Sequence, residues 1–256
     1  MLTKHQTPFL MMCSLLILAI VFAYLLPQAK NNFSEIEKLK MNRINKTISV
    51  PVKQPETLMS RLSFANETLP LGDKKVELKM KKSLTAHKYE NTQTYRLQKR
   101  AKEWFPIIEP ILRRFKVPND FKYMALVESG YKSGVSSKGA AGVWQFMPGT
   151  ARSYGLQVGK GVDERYDLRK STIAACKYLN EMHGTLKSWT LVAAAYNVGD
   201  SRIKKRINKQ NQDNYFKLKL NGETGIYVYK LISMKQIIEH PARYGYDKQK
   251  ELLAYN

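Results

Sequence analysis

Phe121, Met124, Ala125 and Glu128 fall at i, i+3, i+4 and i+7. That spacing puts them on one face of an α-helix. Pro118 and Asp120 precede them as start signals, and Gly130 comes after them as a stop. An apolar stripe of this kind has to be buried against other structure, and this one ends in a carboxylic acid. Burial and the negative end of a helix both disfavour a carboxylate. The spacing therefore predicts a raised pKa for Glu128 and a protonated acid suited to general acid catalysis. The plain alternative is a glutamate at the exposed edge of a helix end.

The residues just past Glu128 suggest a substrate for that acid. Tyr131 to Ala141 is a loop of small residues, with Ser133, Gly134, Ser136, Ser137 and Gly139. Trp144-Gln145-Phe146-Met147 then brings aromatic and amide groups, and Gly142 to Met147 reads as a short helix. One acid in apolar surroundings, facing amides and aromatics, fits acid–base work on a neutral polar polymer such as a glycan.

The remaining pattern is mostly helical. Val76, Met80 and Leu84, then Tyr95, Leu97, Ala101 and Trp104, recur at helical spacing. Pro106 suits the first turn of a helix over Ile107–Phe115, which Pro110 is expected to kink or restart. Asp163 to Asp167 reads as a capping region. Ser171 to His183 is a strong helix closed by Gly184. Trp189 to Asn197 is a helix whose Ala193, Ala194 and Ala195 allow close approach. Tyr229 to Ile238 reads as amphipathic. Ser201 to Lys209 is basic; its plain reading is a solvated helix face.

Composition bounds the partners. Formal net charge is +22, from 43 Lys+Arg against 21 Asp+Glu, on 256 residues. Such an excess favours polyanionic surroundings, whether nucleic acid, anionic lipid or an acidic wall polymer. The two cysteines, Cys13 and Cys176, form no CxxC or Cys/His cluster, so neither a metal site nor a cofactor is expected. His5, His87, His183 and His240 are scattered, with no serine or cysteine in a nucleophile setting.

Phe9 to Leu26 is an uncharged apolar run, between the lengths of a signal-peptide core and a membrane span. Both readings export the rest of the chain, and an uncleaved anchor is favoured. Export in turn argues against nucleic acid as the partner of the basic surface. The expected organisation is a signal anchor or signal peptide at 1–30 and a polar linker with an extended arm at 31–75. A catalytic domain at 76–245 and a tail at 246–256 complete it. Leu62, Phe64 and Leu69 of the arm are expected to pack on the domain.

Four elements, in order, resemble one family. They are Glu128-Ser129 after Tyr-Met-Ala-Leu-Val, and Gly142-Val143-Trp144-Gln145-Phe146-Met147-Pro148-Gly149-Thr150-Ala151. Ala194-Ala195-Tyr196-Asn197-Val198-Gly199 and Glu223-Thr224 to Tyr227-Val228 come next. They are similar to the lytic transglycosylases with a goose-lysozyme-like (SLT) catalytic domain, in particular the membrane-bound type D. The resemblance spans about residues 61 to 245. It implies a mostly α, lysozyme-like fold in the cell envelope (periplasm), held to the inner membrane by residues 9–26. The implied activity is cleavage of the β-1,4 bond between N-acetylmuramic acid and N-acetylglucosamine in peptidoglycan, leaving 1,6-anhydromuramyl ends. Glu128 is implied as the single acid and base. Ser137, nine residues later, or its neighbour Ser136, matches a serine near the acid. Gln145, Met147, Tyr196, Asn197 and Tyr227 match positions lining the glycan groove.

A hydrolysing glycosidase normally needs two carboxylates, and only Glu128 stands in a motif-like setting. A hydrolytic goose-type lysozyme is the rival reading, with Asp163, Glu164, Asp167 and Glu223 as candidate second acids. A catalytically silent peptidoglycan-binding protein is the non-enzymatic one. Type D members usually carry C-terminal LysM glycan-binding modules, and none is read after the catalytic domain. The hold on the wall is expected to come from the groove, the anchor and the basic surface, the last favouring peptide-stem carboxylates. Protein partners and oligomeric state are not legible.

Overall fold

A computed structural model describes residues 35, 37–40, 58–88, 95–130 and 135–246. The chain divides into two units, residues 1–55 and 56–256. In the first, residues 35 and 37–40 are helical and exposed. The apolar run at 9–26 lies outside the described residues. Among the described residues no helix is long and apolar enough to cross a membrane.

The second unit is mostly helical, as the periodicity predicts. Its helices are α1 (Lys74–Ala86), α2 (Tyr95–Arg114), α3 (Lys122–Ser129), α4 (Pro148–Ser153), α5 (Leu168–Leu186), α6 (Trp189–Val198), α7 (Asp200–Gln210) and α8 (Tyr227–Glu239). Two small antiparallel hairpins interrupt them. In β1 (Ser63–Phe64) and β2 (Glu67–Thr68), Phe64 pairs with Glu67. In β3 (Val158–Gly159) and β4 (Val162–Asp163), Gly159 pairs with Val162. Both turn through two residues of positive φ, Ala65-Asn66 and Lys160-Gly161, the geometry that suits a two-residue hairpin.

Packing centres on α8. Tyr227, Val228, Tyr229, Leu231, Ile232, Met234 and Ile237 are all buried, as are Ser233 and Gln236, so this helix is enclosed on most of its circumference and not only on the one face that its sequence suggests. A helix of that kind belongs inside the molecule. Helices α1, α3 and α6 pack on it, while α2 lies along α5 and α5, α6 and α7 neighbour one another in order. Each fully buried large apolar side chain contributes about 1.5–3 kcal/mol. Leu62, Phe64, Ala65 and Leu69 join the same core.

Three local expectations are corrected. First, α2 runs unbroken through Pro106 and Pro110. The two prolines are four residues apart and both exposed, so the hydrogen bonds they withhold from the helix ladder are lost on its outer face, where water can stand in for them. Second, α5 passes through Gly184 and ends at Lys187 in the left-handed region. Gly184 has nothing within 4 Å of where a Cβ would stand, and the buried Met182 and Leu186 on either side hold that turn in the helix. Third, Gly142 to Met147 is a tight turn closed by a bridge between Ala141 and Phe146, not a short helix. The capping region is as expected: Asp163 caps a 3-10 turn over Glu164–Tyr166, and Asp167 caps α5.

Candidate active site

Glu128 sits in the last turn of α3, whose stripe residues Phe121, Met124 and Ala125 are fully buried. Gly130 ends the helix at φ +53°. The Glu128 side chain is half-buried, and the loss of water pushes its carboxyl up to about 7 from an ordinary 4.5. The hydroxyl of Tyr227, at the first turn of α8, donates to Glu128 Oε1 in a short hydrogen bond. That bond and the Lys230 charge pull the pKa down, whereas Glu223 pushes it up, and burial outweighs them. Tyr227 is only 1% exposed. Its own phenol is held well above its usual range by burial first and by the Glu128 charge second. The arrangement fixes one carboxyl oxygen and brings the titration of the acid up to neutrality, so that both its forms are populated there.

The turn after Gly142 forms a second wall. Trp144 is fully buried, and its indole N–H donates to Thr172 Oγ1 at 2.9 Å. Phe146 is buried beside Tyr178 and Tyr196. Both aromatics are therefore core, and they pin the residues between and after them. Gln145 adopts φ +46° and returns its amide to Gly142 O at 2.9 Å. Met147 is 43% exposed. Gly142, at φ +77°, lies against Arg165, where a Cβ would sit 1.9 Å from the carbonyl oxygen.

Arg165 organises this wall, and sequence reasoning missed it. It is 5% exposed. Its guanidinium donates to Gly139 O at 2.7 Å, to Phe146 O at 2.9 Å and to both Asp163 carboxyl oxygens at 2.9 and 2.7 Å. One planar fork thus ties two loop carbonyls to a paired acid. The Arg165 hydrogen bonds hold the Asp163 carboxyl below its usual range. The only sequence signal is an arginine two residues after an aspartate, and it cannot be told from a surface pair.

The third side comes from the end of α6. The Tyr196 hydroxyl donates to Trp144 O at 2.7 Å, which joins α6 to the turn. Burial, then the charge of Glu128, raises its phenol well above the usual range. Asn197 Oδ1 accepts from Thr224 Oγ1 at 3.0 Å. Glu128, Tyr196 and Tyr227 are thus brought together, with Gln145 and Met147 on the adjoining turn. Ser137 stands exposed on the outer loop. That loop's own hydrogen bonds engage Ser136, which bonds to Ala140 through its backbone N–H (2.8 Å) and its hydroxyl (2.9 Å).

A second missed residue, Glu67, positions α6 from 121 residues away. Its carboxylate accepts from Ser188 Oγ at 2.8 Å, from Thr190 N at 3.2 Å and from the Trp189 N–H in a short bond. A carboxylate there meets both the unbonded donors and the positive end of a helix. In the same hairpin, Ala65 N donates to Asp120 Oδ2 at 2.8 Å, just ahead of α3. The strands Ser63–Thr68 therefore tie together the two helices that carry Glu128 and Tyr196.

Residues 106–219 match the family model described as Transglycosylase SLT domain. Those residues hold the first three of the four motifs, so over this span the chain is similar to the SLT-type transglycosylases. Over 152 residues it is 31% identical to membrane-bound lytic murein transglycosylase D of Escherichia coli, covering 57% of this chain and 34% of that protein. Over 153 residues it is 29% identical to a putative tributyltin chloride resistance protein of an Alteromonas species, covering 58% of this chain and 74% of the other. The chain thus spans about a third of the length of the first relative. A solved structure of an inactive mutant of the lytic transglycosylase Slt from Pseudomonas aeruginosa aligns at a TM-score of 0.41 and 19% identity, over 54% of this chain and 24% of that one.

Proposed function

We propose that this chain is a peptidoglycan lytic transglycosylase with a lysozyme-like catalytic domain, in which Glu128 acts as the single acid and base. The observation that carries the reading is the half-buried Glu128, its carboxyl raised to about 7 and held by the Tyr227 hydroxyl. In the first step Glu128 gives its proton to the glycosidic oxygen between N-acetylmuramic acid and N-acetylglucosamine. The C1–O bond breaks, leaving an oxocarbenium-like centre on the muramyl ring. Glu128, now a carboxylate, takes the proton of the muramyl 6-hydroxyl, whose oxygen bonds to C1. A 1,6-anhydro end forms, no water is consumed, and Glu128 regains its proton.

A pKa near 7 suits both halves of this cycle, because a group poised near the working pH donates and accepts with comparable ease. Tyr227 acts as a positioning residue: it holds one carboxyl oxygen and leaves the other for the substrate. Gln145, Met147, Tyr196 and Asn197 line the glycan groove, with Ser137 on its outer loop. Amides and phenols suit sugar hydroxyls and acetamides.

Three of the four candidate second acids of a hydrolase are engaged elsewhere, which supports the single-acid reading, and only Glu223 acts on Glu128, through its charge. Asp163 is paired with Arg165 at 2.7 Å. Glu164 accepts from Lys170 Nζ at 2.6 Å and from Gln157 N at 2.8 Å. Asp167 caps α5. The Glu223 side chain is 65% exposed and faces Lys230 at 3.4 Å. We place the enzyme in the periplasm, anchored in the inner membrane by residues 9–26. The test is the mass of products released from purified sacculi. Anhydro ends, one water lighter than reducing ends, are expected; reducing ends alone would identify a hydrolase.

A further inference from the structure

A basic groove adjoins the candidate glycan site and takes no part in the chemistry above. Its cavity, about 390 Å³, lies between α7 and the 220–224 segment. Arg202, Lys205, Arg206 and Lys209 line one side at i, i+3, i+4 and i+7, one face of the helix. All four are exposed. Among the described residues none of the four has a side-chain hydrogen bond or ion pair, whereas Lys204 of the same helix pairs with Asp200 at 2.6 Å. Like charges at this spacing repel and cost the helix stability. The cationic face is therefore not explained by the fold's own needs.

The rest of the groove is apolar and held in place. Ile203, fully buried, and Val198 form its floor, and Leu220 faces them. The opposite wall is braced by Tyr215, whose hydroxyl donates to Thr224 O at 2.8 Å and accepts from Val228 N at 3.3 Å. A Cβ on Gly225 would meet Leu220 O at 2.5 Å, so that turn is closely packed. Thr224 belongs to this wall and also donates to Asn197 Oδ1. The basic groove thus begins where the candidate glycan contacts end.

We propose that this groove receives a short carboxylate-bearing peptide branch of the glycan strand. The four cations would meet its carboxylates, and the Val198–Ile203–Leu220 floor its small apolar side chains. This rests on the glycan-cleaving reading and adds a preference for peptide-substituted over bare strands. Exposed charge pairs contribute modestly each, and four acting together within a partly apolar groove are expected to give about a tenfold preference.

The test uses the full chain carrying Glu128→Gln, so that bound strands stay intact. Binding is measured to soluble glycan strands with their peptides and to strands stripped of peptides by an amidase, at low and high salt. The parent should bind peptide-bearing strands about tenfold more tightly, with the gap closing at high salt. Adding Arg202→Gln, Lys205→Gln, Arg206→Gln and Lys209→Gln should remove the gap and leave binding to stripped strands unchanged. Glutamine preserves helix propensity; the milder pair Arg206→Gln and Lys209→Gln, expected to lose part of the preference, serves if the fourfold variant fails to fold. Equal binding of both strands by the parent, or a preference that survives the fourfold change, would overturn the proposal. Displacement of peptide-bearing strands by DNA or anionic vesicles as readily as by excess free peptide would also overturn it, in favour of a general polyanion surface. Cleavage of stripped strands by the chain with Glu128 intact separately reports whether the glycan-cleaving reading stands.

Discussion

Replacing Glu128 by glutamine should silence the enzyme and stabilise it, and the stabilisation should depend on pH. The carboxyl is held at about 7 against an ordinary 4.5. Each pKa unit is worth about 1.4 kcal/mol, so ionising Glu128 inside the fold costs on the order of 3 kcal/mol. The folded chain binds more protons than the unfolded one between these two values. Stability from this group is therefore fully present below about 4.5 and is lost as pH rises through about 7. Glutamine cannot ionise, and its side-chain carbonyl still accepts from Tyr227. The variant and the parent should melt together at acid pH and diverge to a plateau above roughly pH 8, with the variant ahead by about 2–3 kcal/mol. For a domain of this size that is roughly 4–10 °C. Thermal melts across the pH range read the effect directly. Release of anhydro products should fall by about a thousandfold or more in the same variant. Parallel pH–stability curves for the two proteins would refute the argument that desolvation tunes this acid.

The site sets three further outcomes. Tyr227→Phe removes the hydrogen bond that opposes burial, so the alkaline limb of the pH–rate profile should move upward; an unmoved limb would mean the bond does not tune Glu128. Gly142→Ala forces a Cβ to within 1.9 Å of the Arg165 carbonyl at a positive φ, and chemical denaturation should show a loss of roughly 3 kcal/mol or more. Glu67→Ala strips the cap from α6 and should lower stability by about 2 kcal/mol, with hydrogen exchange accelerated first at Trp189 to Leu191.

The helices were legible because their stripes are local: Phe121, Met124, Ala125 and Glu128 declare a face within eight residues. Glu128's perturbed titration came from the same stripe. The illegible part depends on partners far along the chain. Tyr227 reaches Glu128 across 99 residues, and Glu67 reaches Trp189 across 122. The turn at Gly142–Met147 looks helical by composition, yet Trp144 and Phe146 are drawn into the core while Arg165 takes the Gly139 and Phe146 carbonyls. No local rule foresees that competition. In α2, the prolines read as a break because water, which can stand in for hydrogen bonds lost on an outer face, has no letter in the sequence.

The Ser63–Thr68 hairpin has a consequence for the order in which the molecule comes into being. Glu67 is made early, but the helix start it caps emerges from the ribosome more than a hundred residues later. Until Ser188 to Thr190 appear, the hairpin's carboxylate has nothing to hold. Long-range closure of this kind slows folding, and the native arrangement of Glu128 against Tyr196 cannot be completed until most of the chain has been delivered. Such a molecule is assembled before it is armed: a partly emerged chain carries the acid of α3 without the wall that gives the acid its setting.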